Sequence, residues 1–223
     1  MQARERVRFV VETPEVYASE ETQGFIRGEL ARPAKQWVQE VVDGTREGES
    51  VRLRAADYVL LPDIHCHRRQ GRTPRGGSPR LPRFNWLAIL ADPGLRSVRD
   101  LRARHAPLLE RMHRECVEAI QREHPEVEEA DIMVFANYPP SVYKLHFHFC
   151  APFFRPMAFD AFRMHTLSGI LDNLRLHPDH YALCSLRIPV TRGSELERAL
   201  HSSDGSGGSD SEPHPVGPEP KDG

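Results

Sequence analysis

Lys144, His146 and His148 alternate with Leu145, Phe147 and Phe149 in the run from Tyr143 to Ala151, the two-residue period of a β-strand. One face of that strand is apolar and suits a core. The other carries two imidazoles about 7 Å apart along the chain, with an ammonium one step earlier. A neutral imidazole can attack phosphorus and hold the phosphoryl group as a phosphoramidate, which divides one displacement into two. The rest of phosphoryl transfer is positioning, and positive charge around the phosphate oxygens. On that reading His146 is the nucleophile, and His148 and Lys144 bind phosphate oxygens. No metal and no cofactor is required. Two alternatives stand beside it. One is an ordinary solvated sheet face. The other is a metal site, for which histidine is the commonest ligand but Lys144 a poor neighbour.

Such a strand needs a sheet around it. Tyr58–Pro62 reads as a buried strand stopped by proline, Phe84–Leu90 as a strongly buried strand, and Ile132–Phe135 as a short one. Leu108, Leu109, Met112, Cys116, Val117 and Ile120 form an apolar stripe at helical spacing, which predicts a long helix from Ala106 to Glu123. A second main helix is expected from Phe159 to Arg175, stopped before Pro178. A last strand is expected over Leu183–Val190, with a turn or two of helix over Glu195–His201. Strands and helices are interspersed and the spacing about the histidine strand is hairpin-like. The fold class is therefore α+β, a mostly antiparallel sheet with two main helices. Residues 34–42, opened by Pro33 and closed by Asp43-Gly44, form a short helix or strand. Trp37 within it is a core aromatic or a flat platform for stacking a base.

The flanks differ in kind. Residues 1–33 mix charge with short apolar pieces such as Val7–Val11, and suggest a strand, or an arm that pairs with a second subunit. Residues 66–83 are Gly, Pro and Arg with almost nothing to bury, which predicts a basic loop. Residues 202–223 have the composition of a disordered tail. At 223 residues with 39% apolar content, the chain suits one domain (34–201) with these appendages. A formal net charge of -2 supplies no global attraction for a polyanion, so local charge must decide. Cys66, Cys116, Cys150 and Cys184 show no paired spacing and read as reduced thiols. No stretch approaches membrane-spanning length. A cytoplasmic protein is expected, with the nucleus as a second compartment.

The run Pro140-Ser141-Val142-Tyr143-Lys144-Leu145-His146-Phe147-His148-Phe149 resembles the signature of the histidine-triad (HIT) hydrolases, and within them the C-terminal domain of the scavenger mRNA decapping enzyme. Gln36-Trp37-Val38, Leu61-Pro62-Asp63, the strand at Trp86–Leu90, Arg96–Leu101 and Pro178–Tyr181 follow in that family's order, so the resemblance covers roughly residues 25–195. It implies a nucleotide pyrophosphate hydrolase that cleaves m7GpppN cap dinucleotides to m7GMP and a nucleoside diphosphate, with His146 carrying the covalent intermediate. It implies that His148 holds the transferred phosphate and helps set the His146 tautomer, and that Ser141 bonds a phosphate oxygen. Trp37 stands where the family stacks the methylated guanine, Glu47 where it reads the guanine edge, and Asp63 at the next site acid. The partners implied are a capped dinucleotide or short capped RNA fragment, and a second copy of the chain. Three positions depart from the pattern. Lys144 replaces the first histidine of the triad, His65 stands where a lysine is expected, and Asn137 replaces a histidine ahead of the Pro-Ser turn. The family's separate N-terminal domain, which swaps between subunits and closes over the cap, has only residues 1–33 in its place. Besides cap hydrolysis, a broader dinucleoside polyphosphate or phosphoramidate hydrolase, and a cap-binding module with little turnover, fit the same residues.

Overall fold

The apolar runs on either side of the histidines become the centre of one sheet. A computed structural model describes residues 7–46, 50–63, 84–151 and 162–202. In chain order the strands are β1 (Val7–Glu12), β2 (Leu53–Arg54), β3 (Tyr58–Pro62), β4 (Asn85–Leu90), β5 (Met133–Asn137), β6 (His146–Cys150), β7 (Met164–Thr166) and β8 (Leu186–Thr191). The α-helices are α1 (Pro14–Ala18), α2 (Glu20–Ala31), α3 (Trp37–Val42), α4 (Ala106–Glu123), α5 (Leu167–Leu176), α6 (His180–Leu183) and α7 (Glu195–Ser202). A six-stranded sheet runs in the order β2-β3-β4-β6-β5-β7 with every pair antiparallel. The α+β class expected from the sequence is what forms. No helix among the described residues is long and apolar enough to cross a membrane.

Register assigns each side chain a face. Trp86 lies opposite Phe149 and Ala88 opposite Phe147. These residues share one buried cluster with Leu109, Met112, Cys116 and Ile120 of α4 and Ile170 and Leu174 of α5. The three- and four-residue spacing of the α4 positions keeps them on the helix side that meets the sheet. On the opposite face Val59, Leu61, Leu87 and Ile89 pack with Val38 and Val41 of α3. The α3 helix ends where Gly44 takes a left-handed φ of 77°, a conformation that side chains resist. The Arg54 guanidinium then donates to the Val41 and Val42 carbonyls at 2.9 and 2.7 Å, which satisfies the helix end.

Two expectations change on contact with the structure, and of two alternatives for the N-terminal segment the strand is what forms. The second main helix starts at Leu167 rather than Phe159, which lies outside the described residues. Residues 164–166 pair with β5 as an edge strand, and the Thr166 hydroxyl caps α5 by accepting from the Gly169 N–H at 3.2 Å. The last strand starts at Leu186, because residues 180–183 form a helical turn. The apolar piece at the N-terminus finds its partner within the chain: β1 pairs antiparallel with β8 from Val7–Thr191 to Glu12–Leu186.

At the end of β1 sits a buried charge pair. The Arg99 guanidinium meets the Glu12 carboxylate at 2.7 Å with both side chains almost wholly enclosed. Arg99 also donates to the backbone carbonyls of Glu12 at 2.8 Å and Tyr181 at 3.1 Å. The Tyr138 hydroxyl donates to the same Glu12 carboxylate at 2.6 Å. One carboxylate therefore joins the N-terminal strand, the turn at Ser97–Asp100 and the end of β5. Removing one partner of such a pair leaves a buried charge unpaired, a loss of about 3–5 kcal/mol. Arg99→Met is expected to lower unfolding free energy by that amount in urea denaturation; a loss under about 1 kcal/mol would show that the pair is dispensable.

Candidate active site

The β4–β6 register puts His146 opposite Ile89 and His148 opposite Leu87, while β5 brings Phe135 opposite His148. Both imidazoles therefore lie on the face away from α4, beside the strip covered by α3. Their ring centroids are 5.4 Å apart, with the planes at 65°. The His148 ring stacks on Phe135 at 5.0 Å.

His146 Nδ1 is 2.7 Å from the Lys144 carbonyl oxygen. A carbonyl only accepts, so Nδ1 carries the proton and the lone pair is on Nε2. This backbone bond, rather than His148, sets the His146 tautomer. Burial holds the His146 pKa below the usual imidazole value, with the Lys144 carbonyl and Asp63 opposing it and Arg163 adding to it. Burial likewise pushes His148 down to about 3, helped by His146 and Arg163. At neutral pH the site thus holds two uncharged imidazoles, the form in which one can be a nucleophile.

Asp63, just past β3, comes to the same face. Its N–H donates to the Asn85 carbonyl at 2.8 Å, and its carboxylate accepts from Asn85 Nδ2 at 2.9 Å. Asn85 Oδ1 is 3.4 Å from His148 Nδ1. On the other side, Asn137 Nδ2 is 3.4 Å from His148 Nε2. Asn137 Oδ1 is buried without a hydrogen-bond partner among the described residues. Of the residues singled out in the sequence, His146, His148, Asp63 and Asn137 are brought together on this face. Among the described residues no group of three or more His, Cys, Asp or Glu is arranged to hold a metal ion.

The remaining candidates sit differently. Alternation predicts Lys144 in a row with the histidines, but β6 begins at His146. The Lys144 ammonium is buried and donates to the Ala91 carbonyl at 2.7 Å. Burial lowers its pKa against the nearby charges of Asp92 and Asp43. Its hydrogen bond thus goes to the backbone. Trp37 opens α3 and packs, half-buried, against the Val38–Ile89 cluster, on the histidine side of the sheet. Ser141 is exposed in the turn after Pro139 and Pro140. Glu47 and His65 lie outside the described residues.

Two residues escaped the sequence reading. Asn85 opens an otherwise apolar run and is 1% exposed. A polar side chain buried on a central strand must have partners, and its odd number shares the parity of Leu87 and Ile89; that was the available signal. Arg163 gave none. It lies just before β7, its guanidinium donates to the Pro139 carbonyl at 3.0 Å, and its field reaches both histidines.

Comparison with known proteins finds relatives over the segment that holds these residues. The family described as "Scavenger mRNA decapping enzyme C-term binding" matches residues 36–163, a span that includes Trp37, Asp63, Asn85, Asn137, His146 and His148. The m7GpppX diphosphatase of Bos taurus is 34% identical over 172 residues, covering 75% of this chain and 48% of that protein. The Homo sapiens protein of the same name is 29% identical over the same length. That of Caenorhabditis elegans is 30% identical over 203 residues, 86% of this chain and 59% of its own. The chain thus spans about half the length of the curated relatives it matches. Among solved structures, Hnt3 in complex with DNA and guanosine aligns over 77% of this chain and 96% of that one, with a TM-score of 0.39 and 14% identity. The match over 36–163, more than half of the chain, makes it a member of the family defined by the C-terminal domain of the scavenger mRNA decapping enzyme.

Proposed function

We propose that this chain is a nucleotide pyrophosphate hydrolase of the scavenger decapping type, cleaving m7GpppN to m7GMP and a nucleoside diphosphate. The observation that carries the reading is His146: a neutral imidazole whose Nδ1–H is tied to the Lys144 carbonyl, leaving Nε2 as the nucleophilic nitrogen. In the first step Nε2 attacks the phosphorus bearing 7-methylguanosine. An N–P bond forms, the bond to the bridging oxygen breaks, and its electron pair leaves with the nucleoside diphosphate. The imidazole becomes cationic as it is phosphorylated, and the Lys144 carbonyl dipole already faces that charge. In the second step a water oxygen attacks the same phosphorus. The N–P pair returns to Nε2, the water surrenders its proton to solvent, and m7GMP departs. Trp37, at the start of the helix that covers the same sheet face, supplies a flat π-face. A cationic methylated guanine is attracted to an indole face. A homodimer belongs to the same proposal, supported by the exposed row Val7, Phe9 and Val11 on β1. A single species of monomer mass in sedimentation at micromolar concentration would remove it.

Incubation with m7GpppG, GpppG and diadenosine tetraphosphate, with products separated by chromatography, tests the substrate. Release of m7GMP from the methylated cap, lost by about 10³-fold or more in His146→Asn, is the expected result. Equal cleavage of all three substrates would make the chain a general dinucleoside polyphosphate hydrolase. Binding of m7GpppG without turnover would make it a binding module. Trp37→Ala is expected to raise KM for m7GpppG about tenfold, the equivalent of about 1.4 kcal/mol, and to leave GpppG nearly unaffected.

The nucleophile must be unprotonated, and burial holds its pKa below the ordinary 6.5. Activity is lost only as pH falls through that lowered value. kcat/KM should therefore stay level from pH 8 to below 6.5 before it declines. An acid limb centred at 6.5 or above would contradict the assignment of His146.

A further inference from the structure

A carboxylate oxygen can only accept a hydrogen bond, and this one fact orients three further side chains in sequence. Asp63 accepts from Asn85 at 2.9 Å, so the amide nitrogen of Asn85 must face Asp63. Its carbonyl oxygen then faces His148 Nδ1, 3.4 Å away, and an amide oxygen accepts. Nδ1 of His148 must accordingly bear the proton. Nε2 is left with its lone pair, and 3.4 Å beyond it stands Asn137 Nδ2, a donor. Every contact agrees with one direction of donation, and reversing it at any point would set two acceptors or two donors against each other. Asn85 is 1% exposed and sits on one of the two central strands, so its amide has no freedom to find water instead.

We propose that Asn85 is a positioning residue of this site, passing the acceptor character of Asp63 to His148 and so holding that imidazole as the Nδ1–H tautomer with Nε2 as an acceptor. This inference rests on the cap-hydrolase reading for its kinetic consequence but not for its structural content. It changes the role of His148. In this tautomer His148 offers a phosphate oxygen no N–H from Nε2. It instead accepts from Asn137 and fixes that amide beside the nucleophile. The polarity set by Asp63 therefore ends at Asn137 Oδ1, which the described residues leave without a donor. Asn85 acts through His148 and touches neither nucleophile nor leaving group.

The test uses the full chain with 15N-labelled histidine, the His148 signals being identified by their loss in His148→Gln. Long-range 1H–15N spectra at pH 7 are expected to show His148 protonated on Nδ1. Asn85→Leu, which keeps the shape and removes the amide, is expected to shift His148 toward the Nε2–H form. It should lower kcat on m7GpppG about 10- to 100-fold, on the scale seen when the outer hydrogen-bond partner of a metal-bound histidine is removed, with little change in KM. Should Asn85→Leu fail to fold, Asp63→Asn gives the same readout, because an amide at 63 both donates and accepts and removes the bias. A wild-type protein protonated on Nε2, or a tautomer unmoved in both variants, overturns the relay. If the tautomer responds but no capped substrate is cleaved, the relay stands and the cap-hydrolase reading fails. Efficient cleavage with an unresponsive tautomer has the opposite meaning.

Discussion

Everything at this site depends on the antiparallel register between β4 and β6. With Ile89 opposite His146 and Leu87 opposite His148, the imidazoles face away from α4 while Phe147 and Phe149 complete the main core. A slip of one residue would reverse every side chain of the strand. It would bury two imidazoles against Met112 and Cys116 and expose two phenylalanines. The apolar half of β6 therefore does more than stabilise the sheet. Its burial penalises the slipped pairing by several side-chain transfers, each about 1.5–3 kcal/mol, and so enforces the placement of the polar half. A chemical site and a hydrophobic core are here two faces of one constraint.

A second constraint works at right angles to the sheet. The turn that carries Ser141 begins at Tyr138, whose hydroxyl is held by Glu12 at 2.6 Å, and Glu12 is in turn paired with Arg99. The Tyr138 N–H donates to the Arg163 carbonyl at 2.7 Å, and Arg163 returns a bond to the Pro139 carbonyl. The segment before the histidine strand is thus fixed from the N-terminal strand on one side and from β7 on the other. The Phe25 ring of α2 meets Tyr143 edge-on at 6.0 Å. Residues 7–33, which the sequence presents as an appendage, are by this packing part of the support of the site.

The sequence disclosed the parts of this arrangement that alternate or repeat. Period two at residues 144–150 places the histidines on one face, and helical spacing in 106–123 locates the main core helix, because both patterns follow directly from backbone geometry. It was silent where tertiary pairing decides. Nothing local distinguishes Met164–Thr166 as an edge strand from the first turn of a helix; the donor and acceptor groups of β5 decide it. Val7–Val11 has the look of a strand without a partner, and the partner lies at the far end of the chain in β8. Lys144 continues the alternation in sequence, yet the strand begins two residues later and the ammonium turns to the Ala91 carbonyl. Asn85 gives little signal because six apolar neighbours mask one polar residue, although burial makes such a residue the most constrained of all.

The electrostatics of the site follow from these placements. Phosphoryl transfer calls for positive charge around the reacting oxygens, and the alternation of residues 144–148 suggests that His148 and Lys144 supply it. Here both imidazoles are driven toward neutrality by burial, and the ammonium is bonded to a backbone carbonyl beside two carboxylates. Among the described residues, the cation whose field acts on both histidines is Arg163. Its charge lowers their proton affinity and so helps to keep His146 unprotonated. A phosphate entering this face would meet that same field as an attraction. On the proposed reaction, one guanidinium would therefore favour the free base of His146 and the anionic substrate together. For the proposed hydrolase, this reconciles a site without charged imidazoles with a reaction that needs positive potential.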